Sequence, residues 1–181
     1  MLRKALVSTC AVAVLAFSMG TTAFAQTSDA ALANEVSKRI RNYVFYSVFD
    51  DVEGTVHDGI VSLTGKVRMP FVASEIAKLV ARVPGVREVD NKIESLPVST
   101  FDDELRIQIA TRIYRDPLFW NYAIQPVPPI HIIVENGHVT LKGVVDSEVE
   151  RRVAETIARS AFGVFEVNNH LQLERDLRAA D

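Results

Sequence analysis

Gly59 to Gly65 read G-I-V-S-L-T-G, and Gly137 to Gly143 read G-H-V-T-L-K-G. The first is the returning arm of a predicted hairpin, and the second is the same arm written again. Asp58-Gly59 and Asn136-Gly137 supply the turns, because aspartate, asparagine and glycine tolerate the positive φ that a two-residue hairpin requires. Ahead of the second turn Ile130, Ile132 and Val134 alternate, and after it Val139, Leu141 and Gly143 alternate back. The first copy is the weaker version, with Val52, Gly54 and Val56 before its turn and Val61, Leu63 and Gly65 after it. The second glycine of each arm sits inside a strand, where it admits close backbone or helix approach or marks a bulge.

Working outward, Gly85 to Ile93 read G-V-R-E-V-D-N-K-I and Gly163 to Leu171 read G-V-F-E-V-N-N-H-L. Both blocks recur at one offset, 78 residues (137 − 59 and 163 − 85). Two blocks at a shared spacing mark a duplicated module. Each copy opens on an amphipathic helix. Leu32, Val36 and Ile40 form the stripe of the first, and Leu105, Ile109 and Ile113 that of the second, where Asp102 and Asp103 suit the helix start. After the hairpin comes a second helix. Ser147-x-x-Glu150 is a capping box, with Val149, Val153 and Ile157 as the apolar face. In the first copy Pro70 opens the helix, and Phe71, Ile76, Leu79, Val80 and Val83 follow. Gly85 and Gly163 stop these helices, and a last strand follows, long enough after the hairpin for a right-handed crossover parallel to the returning arm.

The expected fold class is therefore α+β. Two tandem α-β-β-α-β modules, spanning 28–96 and 101–174, each form a mixed three-stranded sheet with two helices on one face. Residues 175–181 read as a frayed tail.

The first 25 residues read as a signal peptide. Arg3 and Lys4 precede the apolar run Ala5 to Phe17, and Ala23-Phe24-Ala25 is a small-x-small cleavage site. Removing Arg3 and Lys4 from the 20 basic residues leaves 18 against 23 acidic ones, so the net charge moves from −3 to −5. An acidic chain of this kind is a poor non-specific polyanion binder, so nucleic acid is not expected as a partner. Cys10 lies in the leader, which leaves no thiol for catalysis or metal binding beyond it. No later stretch is long and apolar enough to be expected to span a bilayer.

The order of elements, the G-x-V-x-L-x-G arm and the G-V-x-x-V-x-N-x-[IL] strand resemble the BON domain (bacterial OsmY and nodulation), twice over. The resemblance implies a non-enzymatic, exported, periplasmic envelope protein without cofactors. It further implies binding to phospholipid or another envelope component, with roles in osmotic or envelope stress. The family's lipid contacts do not fall within the shared motif, so the resemblance assigns none to numbered positions.

The candidate sites come from the residues themselves. The copies diverge most between first helix and hairpin. The helices align at an offset of 73 and the later blocks at 78, so the second copy carries five extra residues here. That stretch, Asp116 to Pro129, holds Phe119, the single tryptophan Trp120, Tyr122 and three prolines in four residues. Aromatic rings in a proline-stiffened connection suit a binding surface for an anionic phospholipid or an envelope protein, but the first copy carries aromatics in the same place, so the simpler reading is packing over the sheet end or between the modules. Lys38, Arg39 and Arg41 form a basic cluster on the first helix that could meet lipid headgroups, though with Glu35 nearby a solvated helix face with local ion pairs is the simpler reading. A protein-interaction adaptor acting through the aromatic and proline connection is the alternative reading.

Gly59, Gly65, Gly85, Asn91, Gly137, Gly143, Gly163 and Asn169 are read as structural, the asparagines needing backbone partners. His57, His131, His138 and His170 are dispersed and lack metal spacing, so no metal site and no catalytic set is expected. Ligand identity and oligomeric state are not encoded legibly.

Overall fold

The computed structural model describes residues 28–179, so the stretch expected to be a signal peptide lies outside the described residues. The elements run α1 (Asp29–Arg41), β1 (Asp51–His57), β2 (Ile60–Val67), α2 (Pro70–Val80), β3 (Glu88–Ser95), α3 (Thr100–Arg115), α4 (Trp120–Ala123), β4 (Ile130–Glu135), β5 (His138–Val145), α5 (Glu148–Arg159), β6 (Glu166–Leu173) and α6 (Glu174–Arg178). A single 3-10 turn, Pro117–Phe119, precedes α4. The strands form two sheets, β1-β2-β3 and β4-β5-β6, each with an antiparallel hairpin and a parallel third strand. The duplicated mixed-sheet module is thus the fold, with helices covering one face of each sheet.

Each module has its own core. Leu32, Val36 and Ile40 of α1 bury against Val61, Leu63 and Val67 of β2 and against Val72, Ile76 and Val80 of α2. The second core repeats this with Leu105, Ile109 and Ile113, then Val139, Leu141 and Val145, then Ala154 and Ala158. Each large side chain fully withdrawn from water stabilises its module by about 1.5–3 kcal/mol. The expected apolar face of α5 is corrected in one respect. Val149 is exposed, and Ala154 and Ala158 are the deeply buried residues, with Val153 and Ile157 packed beside them. Alanine brings the helix axis close to the sheet and leaves the first turn free to face outward. The tail differs too, since Glu174–Arg178 forms a helical turn held by the Arg178–Glu174 pair where fraying was expected.

Each copy secures its hairpin by the same unadvertised bond. Asp29 in the first turn of α1 accepts from the backbone N–H groups of Asp58 and Gly59 (2.8 and 3.2 Å). Asp102 in α3 accepts from Asn136 and Gly137 (both 2.9 Å). The asparagines are also duplicated in role. Asn91 Nδ2 donates to the carbonyl of Ala73 in α2 while its Oδ1 accepts from Ile93 N–H. Asn169 donates to Arg151 O in α5 and accepts from Leu171 N–H. Each asparagine ties a helix to the edge strand beside it, and helix carbonyls supply the backbone partners.

The modules touch through a polar junction. The outer face of β4-β5 meets the α1–β1 connection and the ends of β1 and β2. Ile132 N–H donates to Val48 O (2.7 Å), and the buried carboxylate of Asp50 holds that connection by accepting from Ser47 and Arg68 N–H. Ion pairs cross the junction from Lys66 to Glu135, from Lys142 to Asp51 (2.7 Å) and Glu53 (2.8 Å), and from Arg68 to Asp103 (3.9 Å). Nδ1–H of His131 donates to the Asp50 carbonyl (2.6 Å), and its ring lies 5.5 Å from that of Tyr46.

Such a junction is sensitive to salt and acid. Part-exposed pairs are screened within about 8–10 Å at 0.1–0.15 M salt. Burial pushes the His131 pKa down, with the Asp50 bond and the Asp50 and Asp51 charges opposing it. A His pKa depressed in the docked state means that protonation opposes docking, so that contribution is present above about pH 6.5 and fades as pH falls below it. Small-angle scattering should show the two modules separating on going from 50 mM to 1 M salt, or from pH 7.5 to 5. Lys142→Ala should mimic the change at low salt. Unchanged dimensions throughout would refute a polar junction.

Candidate functional site

The end of each module opposite its hairpin turn carries an exposed apolar surface. In the first module the α1–β1 connection presents Val44 and Phe45, and the first turn of α2 presents Phe71. Their rings run in an edge-on chain, Tyr43 to Phe45 at 5.8 Å and Phe45 to Phe71 at 5.4 Å. In the second module the α3–β4 connection exposes Leu118, Trp120 (66 %) and Ile124, and the first turn of α5 exposes Val149. Phe71 and Val149 are equivalent at the 78 offset, so the two modules expose apolar side chains at the same place in the fold.

The sequence candidates divide on this surface. Phe119 is fully buried and Tyr122 nearly so, both in the second core with their rings 6.2 Å apart. The Tyr122 hydroxyl bridges Glu150 (3.1 Å) and the N–H of Asp146 (2.9 Å), fixing the connection onto the start of α5. Burial pushes this hydroxyl well above the usual tyrosine range, with Glu150 adding to the shift, so it stays a proton donor. Trp120 alone of the three points outward. Phe119 and Tyr122 are its foundation: the 3-10 turn is capped by Asp116, whose carboxylate accepts from Leu118 N–H (2.9 Å).

The basic candidates lie in the last turn of α1, beside the Val44–Phe45 connection. Lys38 and Arg39 are exposed, Arg39 standing 4.0 Å from Glu35. Arg41 separates from them and lines a groove between the modules. The last turn of α3 carries Arg112 and Arg115 in like manner. Among the described residues Lys38, Arg112 and Arg115 make no ion pair. Arg151 and Arg152 both pair with Glu148, whose carboxyl they hold below the usual range, and so are engaged locally.

A second apolar surface escaped the sequence reading. At the hairpin end of module 2, Phe162 (89 %), Phe165 (76 %) and Phe101 (46 %) stand exposed. Phe165 covers Gly137 and lies 6.2 Å from His138, and Phe101 lies over Gly163. The equivalent positions in module 1, at the two offsets, are Pro84, Arg87 and Ser28. The shared scaffold does not require phenylalanine there, and aligning the copies residue by residue would have flagged all three.

Among the described residues no cluster of three or more His, Cys, Asp or Glu could hold a metal ion, and no helix is long and apolar enough to cross a membrane.

Comparison with known proteins places this geometry. The chain is 29 % identical over 131 residues to Osmotically-inducible protein Y of Escherichia coli (strain K12), covering 67 % of this chain and 61 % of that protein. It thus spans about three fifths of the length of that relative. Among solved structures it matches CdsD, a structural protein of the type III secretion system of Chlamydia trachomatis, at 14 % identity and a TM-score of 0.28, over 82 % of this chain and 96 % of that one. The C-terminal domain of CdsD matches at 14 % and 0.29. Similarities that low bear on neither fold nor role. The family model for the BON domain matches twice, at residues 28–97 and 102–175, and the chain belongs to that family.

Proposed function

We propose that this is an exported, periplasmic envelope protein of two BON modules that binds and does not catalyse, docking on anionic phospholipid surfaces through the helix-end surface repeated in both modules. The reading is carried by one observation: unpaired basic side chains in the last turn of α1 and of α3 adjoin exposed apolar side chains of the next connection. Lysine and arginine near an anionic leaflet each contribute about 1 kcal/mol, and exposed rings such as Trp120 and Phe45 gain by leaving water at the headgroup boundary. The likeness to a protein named as osmotically inducible supports a role in osmotic or envelope stress.

Co-sedimentation with phosphatidylglycerol-containing vesicles tests it. The chain from Gln26 onward should pellet at low salt, lose binding about tenfold or more at 0.5 M salt, and ignore pure phosphatidylcholine. Trp120 emission should shift blue on binding, and K38A/R112A/R115A should weaken it severalfold. Absence of any lipid dependence would favour a second reading, a protein-interaction adaptor. The exposed Phe101, Phe162 and Phe165, together with the Trp120 connection, support that reading.

A further inference from the structure

The two hairpins leave the same strand edge outermost, and only one of these edges is covered. In an antiparallel ladder alternate residues turn both backbone groups away from the partner strand. On β4 these are Ile130, Ile132 and Val134. Tyr114 hydroxyl donates to Ile130 O (2.6 Å), Val48 O accepts from Ile132 N–H, and the buried Arg106 guanidinium donates to Val134 O. On β1 the outward residues are Val52, Gly54 and Val56, and among the described residues only Val52 N–H is engaged, by the Tyr46 hydroxyl (3.3 Å). The residues of α1 at the places of Arg106 and Tyr114 are Ala33 and Arg41 at the 73 offset. One is too short to reach the strand and the other does not reach it.

The open edge borders a groove of about 670 Å³, within the range of clefts that hold ligands (about 300–1,000 Å³). Glu53, Gly54 and Thr55 run along it, Ser37, Ile40 and Arg41 of α1 form one wall, and His131, Lys142 and His170 of module 2 form the other. Lys142 is already neutralised by Asp51 and Glu53, whereas Arg41 has no acidic partner among the described residues.

We propose that the β1 edge accepts an extended peptide segment as a fourth strand, hydrogen-bonded to Gly54 and Val56, with a carboxylate of the peptide meeting Arg41. Main-chain bonds to a free edge supply affinity in such strand addition, and flanking side chains supply selectivity. Module 2 flanks the edge, so a lone strand enters where a second copy's β1, carrying its own second module, would be obstructed.

The test uses amide exchange by NMR on the full chain with synthetic acetylated octapeptides of alternating Thr and Val. One peptide carries Glu, one Lys, and one ends in a free carboxylate. The carboxylate-bearing peptides should protect the amides of Gly54 and Val56 about tenfold or more, and the Lys peptide severalfold less. Arg41→Ala should erase that preference. The double variant A33R/R41Y, which installs the residues that cover β4, should abolish protection. V56P removes one outward N–H without touching the β2 ladder and should abolish protection at Gly54, the amide that remains to report, serving if the double variant does not fold. No protection by any peptide, or equal protection in A33R/R41Y and V56P, overturns the proposal. So does protection that rises with protein concentration alone, since the edge would then be taken by a second copy.

Discussion

Gly143→Val is expected to unfold module 2 at temperatures where module 1 still melts on its own. Gly143 has φ of +119°, and a Cβ placed there would lie 1.8 Å from the carbonyl oxygen of Pro129. That obstacle is backbone at the entry of β4, so it cannot rotate aside as a side-chain terminus would. The Pro129 carbonyl and the strand opposite Gly143 at Ile130 must move apart, which disrupts the first ladder pair and the Ile130 seat in the core. Positive φ adds about 1–3 kcal/mol of strain for a β-branched residue, and the clash adds more, for a total of at least about 4 kcal/mol. Gly65→Val should do the same to module 1, where the Asp51 carbonyl stands 2.1 Å from the added carbon. Gly54→Ala is the control. It has ordinary φ, its nearest neighbour is a Val36 methyl at 3.1 Å, and the α1 contact can yield by a few tenths of an ångström. Calorimetry on the three variants should show one lost transition for each valine and two retained for the alanine. If Gly143→Val leaves both transitions in place, the close approach at the strand entry is not a requirement of the fold.

These glycines also show how much was legible. The motif G-x-V-x-L-x-G placed a glycine inside a strand, and its reason, room for the carbonyl at the partner strand's entry, follows from the close approach anticipated there. Periodicity located α1 and α3 because Leu32, Val36 and Ile40 and their counterparts are spaced for one face and are the apolar residues that these two helices bury in the cores. The same logic misplaced Val149. A large apolar residue outcompetes alanine in any reading by hydrophobicity, yet close helix–sheet packing selects the small residues Ala154 and Ala158. The candidate site was half legible. Composition picked out the aromatic connection but could not tell Trp120, which faces water, from Phe119 and Tyr122, which hold it up. That distinction depends on a 3-10 turn followed by one helical turn, a change of period within seven residues. The junction was not legible at all. Lys66, Glu135, Lys142 and Asp51 are ordinary surface charges in sequence, and their pairing exists only once the two sheets are set against each other.

Asp102 and Asp29 occupy equivalent places, and their removal should differ severalfold in cost. Both carboxylates accept two backbone N–H groups of a hairpin turn, and both sit in the first turn of a helix, where negative charge is favoured. Asp102 is fully buried, however, while Asp29 is only part-covered. In Asp102→Ala the N–H of Gly137 loses its partner in a place water does not reach, since Gly137 is itself buried. Leaving buried donors unsatisfied costs about 1–3 kcal/mol each, so a loss of about 2–4 kcal/mol is expected for module 2. In Asp29→Ala the freed N–H of Asp58 turns to solvent, and Gly59, though buried like Gly137, loses only a longer bond (3.2 Å) to a part-covered carboxylate and lies beside the Arg87 side chain, so the loss should be about 1 kcal/mol. Asp102→Asn separates the two contributions. One amide oxygen still accepts a bond while the other acceptor becomes a donor facing a donor, so it should cost nearly as much as alanine despite its matching shape. Denaturant melts followed by amide exchange at Asn136 and Gly137 would report both the energy and its location. Equal losses for the two aspartates would mean that burial does not govern the clamp and that it acts through the helix start alone.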